Sequence, residues 1–369
     1  MLADVVPLYP LYALLFADTG LGDAEISALL ALWSAVGLLA EVPSGALADR
    51  FSRRYALVAA GLLQALGYAL WIALPGFPAF AAGFVLWGLG GALVSGAFEA
   101  LLYDGLAAVG ADAEYPRVLG WVTAVGLFAQ LPSAASATVL FSLGGYDLVG
   151  WVSIGSCLAA ATLASRLPEP PRDQTGDAGT DGYLTTLRAG LAEVAARPAV
   201  RSAVLAVAML TSLDGLEEYF PLLAQDWGVP TAVIPLAMLG IPLAGAAGAA
   251  LGGAASRLRP SDLAVVLGVA VLALGAAGLA RHSAGLAVVA LFYGLYRLVL
   301  VVVDARLQQR IDGPARATVT SVAGMGSELA AFALFAGWAL GGVMLVVALM
   351  LVAALALPLI APEPNRLMR

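Results

Sequence analysis

The chain has 369 residues, of which 61% are hydrophobic and 12% charged, with a formal net charge of -7. A soluble domain of this size needs far more charge to cover its surface, so a water-soluble globular protein is excluded and lipid becomes the main solvent. All 18 basic residues are Arg, and there is one Cys (Cys157) and one His (His282); no disulfide framework, thiolate metal cluster or His-based relay is available.

A helix needs about 20 apolar residues to cross roughly 30 Å of hydrocarbon. Breaks at charge clusters and at Gly or Pro predict twelve spans, at 3–17, 26–48, 54–74, 78–104, 116–143, 147–166, 200–224, 230–256, 261–280, 284–306, 315–338 and 342–361. The opening residues, MLADVVPLYP, lack the basic region and cleavage site of a signal peptide. The first span is short: the 17 residues before Asp18 make about 25 Å of helix, so it either lacks an upstream part or ends early at the cytoplasmic side. Pro75-Gly76-Phe77-Pro78 and Gly144-Gly145-Tyr146 carry turn chemistry between adjacent spans.

Arginine placement tests the count. With a cytoplasmic N-terminus, 16 of the 18 Arg fall at cytoplasmic loops, cytoplasmic helix ends or the C-terminal tail. Arg281 alone sits outside and Arg297 lies within a span. A miscounted helix would invert every later loop and destroy this bias, so the rule of positive charge inside supports twelve spans with both termini cytoplasmic. The reading is a multi-pass protein of a bacterial cytoplasmic (inner) membrane, expected to be a monomer in the lipid bilayer.

Residues 167–199 interrupt the spans. LPEPPRDQTGDAGTDG reads as a linker, and YLTTLRAGLAEVAAR places Tyr183, Leu184, Leu187, Leu191 and Val194 on one face of an amphipathic helix. The predicted organisation is an N-terminal six-helix bundle (1–166), a cytoplasmic linker with an amphipathic helix (167–199) and a C-terminal six-helix bundle (200–369). A weak repeat joins the halves. GALADR (45–50) follows the second span and GGAASR (252–257) the eighth; Arg117 opens the fifth span and Arg316 the eleventh.

The hairpin between spans two and three reads GALADRFSRR, Gly45 to Arg54. It resembles the signature G-x-L-a-D-r-x-G-r-r of the major facilitator superfamily, in the loop where that family carries it, with Ser52 in place of the usual Gly. EVPSG (41–45) leads into it, SGAFEALLYD (95–104) ends span four and RATV (316–319) precedes span eleven; these are similar to a bacterial, drug-efflux-like subgroup. The resemblance implies an all-α membrane protein of two pseudo-symmetric six-helix bundles. It also implies a gate in which Gly45 permits close helix approach, Asp49 with Arg50 faces helix eleven, and Arg53 pairs with Asp104. The second copy has Ser256 where the acid would stand.

The resemblance further implies a central cavity lined by spans one, four, seven and ten. Ionisable residues inside a bilayer are costly and default to functional hypotheses. On those spans lie Glu99, Asp214, Glu217, Glu218 and Arg297. In an α-helix Asp214 and Glu218 share a face with Thr211, and Tyr293, Arg297 and Asp304 share a face of span ten. An unpaired mid-bilayer Arg costs about 2.5–3.5 kcal/mol, so Arg297 should meet an acid such as Asp214 or an anionic substrate. Glu99, Asp214, Glu218, Tyr293 and Arg297 are therefore the predicted substrate and proton cavity, against the alternative of structural ion pairs that pin helices. Glu41, Gln130 and Glu328 are secondary polar positions, and Glu217 and Glu218 can also be read as reaching the external water.

A membrane-embedded enzyme is disfavoured, with no H-E-x-x-H or G-x-S-x-G string, and a P-loop cannot exist in a chain without Lys. No cofactor, metal or nucleic acid is expected. The expected function is secondary active transport of a small molecule by alternating access, with proton-coupled efflux of an amphipathic compound leading. Proton-coupled uptake of a small metabolite or sugar, and a facilitator-fold receptor or assembly subunit without transport, are the alternatives.

Overall fold

The computed structural model describes residues 5–50, 52–169, 192, 194–311 and 316–361, with side chains for all of these but 41–50, 96, 127, 316 and 317. The linker residues 170–191, which carry most of the expected amphipathic helix, lie outside the described residues. The chain divides into two compact units, Met1–Tyr183 and Leu184–Arg369, and the described residues form helices without strands.

The first unit opens with a 3₁₀ turn (Tyr9–Leu11) running into the seven-residue α1 (Tyr12–Asp18). It continues with α2 (Asp23–Arg50), α3 (Arg53–Ala73), α4 (Phe77–Ala108) and α5 (Tyr115–Ala164). A helix as short as α1 is not stable by its own hydrogen bonds. Rings hold it instead. Tyr12 and Phe16 pack among Trp71, Phe80, Phe84 and Trp87, with Phe16 and Phe80 centroids 4.1 Å apart. The Trp71 indole donates to the Phe80 carbonyl at 3.1 Å, and the Leu8 amide donates to Ser153 Oγ at 2.9 Å.

α5 is fifty residues long, which as a straight helix would be about 75 Å, more than twice the hydrocarbon thickness. It reverses at Gly144 and Gly145, the latter at φ 59°, ψ -154°, a region open to glycine alone. After the turn it runs antiparallel to α3. A Cβ on Gly61 would meet Ala161 at 3.0 Å, Leu8 reaches Ser153, and Phe141 packs edge-on against Tyr146 across the bend. The fifth and sixth spans are therefore two helices joined directly at this reversal, tied to the end of α1 by a 2.6 Å hydrogen bond from the Tyr146 hydroxyl to Asp18.

The second unit holds α6 (Pro198–Thr211), a 3₁₀ stretch (Ser212–Tyr219), α7 (Phe220–Asp226), α8 (Ile234–Met238), α9 (Gly240–Ala250), α10 (Gly252–Ala255), α11 (Pro260–Ala280), α12 (Gly285–Gln308) and α13 (Arg316–Ile360). The expected seventh span is α6, the 3₁₀ stretch and α7 in series, and the eighth is α8 to α10. α13 repeats the device of α5: it reverses at Gly342, again at φ 59°, ψ -154°. Nine segments among the described residues are long and apolar enough to cross a membrane. Two of them, α5 and α13, fold back on themselves, which with the short α1 is consistent with the expected twelve helices.

Small residues set the closest approaches. Gly248 of α9 lies against the Gly294 carbonyl of α12, and a Cβ on Gly245 would stand 2.6 Å from Tyr293. This contact fixes where α12 presents Tyr293 and Arg297.

Candidate functional site

Two polar constellations stand out, one in each unit. In the first, Ser52 takes an extended conformation and caps α3, accepting a 3.2 Å hydrogen bond from the Tyr55 amide. Its own hydroxyl donates to Glu169, and the Arg53 amide donates to the same carboxylate at 2.9 Å. A carboxylate at a helix N-terminus satisfies orphan amides and complements the dipole. The departure from the family signature is thereby explained: Ser52 supplies a cap and an anchor that glycine lacks. The Arg53 guanidinium pairs with Asp104 near the end of α4, as expected. Gly45, Asp49 and Arg50, with Glu41, have side chains outside the described set.

The second unit ties the equivalent junction together differently. Arg306, 4% exposed near the end of α12, donates to the backbone carbonyls of Ser256 and Leu258, just ahead of α11. The cation stands on the long helix α12 here rather than at the start of the shorter α3, and main-chain carbonyls take the place of the carboxylate. Sequence reading saw only the missing acid at Ser256.

The central constellation also lies in this unit. Arg297 is half-way along α12 and Asp214 is near the middle of the seventh span. The Arg297 Nη1 donates to both Asp214 oxygens, at 3.2 and 3.1 Å, and each side chain is 33% exposed. The Tyr293 hydroxyl donates to Asp214 Oδ1 at 3.2 Å, and the fully buried Tyr296 donates to the Leu210 carbonyl at 2.9 Å. The expected partner of Arg297 is the observed one.

A second carboxylate stands near this pair. In a 3₁₀ helix residues three apart eclipse, so the acid on the face of Asp214 is Glu217, which also contacts the Tyr293 hydroxyl. Glu218, one α-turn from Asp214, is rotated about a third of a turn off that face. The local chemistry accounts for the tighter winding. Gly215 is a weak helix former, and Pro221 has no N–H to give the Glu217 carbonyl. SLDGLEEYFP carried that signal, and α-helical periodicity passed over it.

The remaining expected residues are not brought into this cluster by the packing within their units. Glu99 is exposed on α4 with Tyr115 as its neighbour. Gln130 and Glu328 are exposed on α5 and α13. Arg281, the single Arg expected outside, pairs with Asp226 at 3.1 Å.

A family model described as Major Facilitator Superfamily matches residues 2–335. No curated protein matches the chain. Among solved structures the chain is similar to a D-xylose-proton symporter, at 15% identity and a TM-score of 0.71, over 99% of this chain and 97% of that one. It is also similar to the nucleoside transporter NupG, at 12% identity and a TM-score of 0.75, over 97% of this chain and 96% of that one. At such identities the likeness speaks for the fold. The family match, the GALADRFSRR hairpin and the paired helical bundles agree: the chain belongs to the major facilitator superfamily and is a multi-pass membrane transporter of that fold.

Proposed function

We propose that this protein is a proton-coupled secondary transporter of the bacterial inner membrane, with both termini cytoplasmic, that exports an amphipathic small molecule by alternating access. The observation that carries this reading is the Asp214–Arg297 pair, with Tyr293 and Glu217, half-way along two membrane-spanning segments. A structural ion pair needs one acid for one base. Here a second carboxylate, Glu217, stands beside the pair without a base of its own in the cluster, so a proton or a cationic group completes the charge balance. The Arg53–Asp104 contact is then part of the cytoplasmic gate, holding the hairpin against α4 in one state and releasing it in the other.

The chain has a single Asn, at position 365, and few Gln. Sugar and nucleoside sites rely on such amides, which favours an amphipathic cargo over a polyhydroxylated one. Proton-driven uptake is the second reading, favoured by one fold neighbour, a D-xylose-proton symporter. Flux in proteoliposomes under an imposed pH gradient, with ethidium, xylose and a nucleoside as probes, separates the two. Ethidium movement against its gradient supports export, and xylose or nucleoside accumulation supports uptake. Arg297→Ala should lower the responding flux by about ten-fold or more while the protein stays folded, since it strips two acids of their counter-ion. Full flux in that variant would take Arg297 out of the mechanism.

A further inference from the structure

The polar cluster of the second unit contains more acid than base, and its geometry divides the two acids by role. Both oxygens of Asp214 are engaged by Arg297, and Oδ1 also accepts from Tyr293. Glu217 meets the tyrosine end of the same cluster. Among the described residues Arg297 is the guanidinium within reach of both acids, and its hydrogen bonds go to Asp214. The groups around Glu217 can be named from each neighbouring element. Its own segment supplies Asp214 and Glu218, and α12 supplies Tyr293 and Arg297. At Gly215, α13 presents the apolar Leu334 and Phe335.

Position reinforces the division. The 3₁₀ winding runs for eight residues, from Ser212 to Tyr219, where such runs seldom exceed three or four. A long 3₁₀ stretch inside a helix is held by its surroundings, and it commonly marks a functional hinge. Its effect here is specific, because it brings Glu217 beside Asp214 where α-geometry would bring Glu218.

We infer that Glu217 is the residue that takes up and releases the coupled proton, while Asp214 is the fixed partner of Arg297. The inference rests on the proton-coupled reading above. A proton from water on the open side forms the O–H bond of the Glu217 carboxyl. It leaves to water when the site opens to the other side, and no electrons are exchanged. With the proton bound, the cluster carries one negative and one positive charge; without it, one uncompensated negative charge remains in a low-dielectric setting.

The test needs no cargo. An infrared pH titration of the purified full chain should show a protonated-carboxyl band that is lost as the pH is raised. Glu217→Gln should abolish that band, and Glu218→Gln should keep it. Asp214→Asn should also abolish it, because Glu217 then ionises against the freed Arg297. A band that survives Glu217→Gln, or one that disappears only in Glu218→Gln, overturns the inference. In proteoliposomes Glu217→Gln should lose ethidium accumulation driven by a pH gradient and keep ethidium exchange at equal concentrations. Wild-type protein without any pH-driven flux would instead refute the proposed function, and the infrared result still judges Glu217 on its own.

Discussion

At the scale of single residues, the contacts around Ser52 separate stability from gating. Ser52→Ala removes an N-cap and should cost about 1 kcal/mol, whereas Ser52→Gly should cost only a few tenths, because glycine tolerates the cap conformation. Thermal unfolding in detergent compares the two. Arg53 and Asp104 behave differently. Their side chains are 16% and 37% exposed, and a pair that open to solvent contributes about 1 kcal/mol or less. Asp104→Asn should therefore shift unfolding little. The same energy applied to two conformers close in stability changes their ratio several-fold, so the variant should alter transport kinetics well beyond its effect on folding.

At the scale of elements, the two reversals are the clearest shared structure of the two units. Gly145 and Gly342 adopt the same φ and ψ, 59° and -154°, and both follow a Leu-Gly pair, Leu143-Gly144 and Leu340-Gly341. Alanine at either position must enter a backbone region that L side chains avoid, at a cost of about 1–3 kcal/mol. Gly155, in the helix after the first reversal, has open space around a Cβ and an ordinary backbone. The expected outcome is that Gly145→Ala and Gly342→Ala each lower the unfolding temperature by similar amounts while Gly155→Ala does not. Equal effects at all three would mean that the turn conformation is not what these glycines provide. The sequence showed the first of these turns directly, because Gly144-Gly145 stands beside Tyr146 and Asp147. The second, at Gly341-Gly342, has apolar residues on both sides and showed only as the break between the predicted spans 315–338 and 342–361. Helix winding was hidden for a related reason. Hydrophobic periodicity assumes 3.6 residues per turn, so it paired Asp214 with Glu218, and only the local chemistry of Gly215 and Pro221 argued otherwise.

At the scale of the whole molecule, the charge pattern and the packing carry separate information. The all-helical membrane fold and the Arg297–Asp214 pairing were legible because lipid penalises every unpaired charge and favours long apolar helices. Contacts such as Arg306 with the Ser256 and Leu258 carbonyls were not, since a main-chain acceptor leaves no mark in the residue code. Orientation in the membrane is carried by arginine placement alone, and it can be tested with the chain's single native thiol. Cys157 is 1% exposed, so a membrane-impermeant maleimide should leave the native chain unlabelled. Asp112 and Ser283 are both exposed, and the arginine pattern assigns them to opposite sides of the membrane. In intact cells Ser283→Cys should label at once, while Asp112→Cys should label only after permeabilisation. The reverse pattern would place the GALADRFSRR hairpin outside. The Arg53–Asp104 contact would then close the external face, and the proposed direction of proton-driven movement would have to be turned round with it.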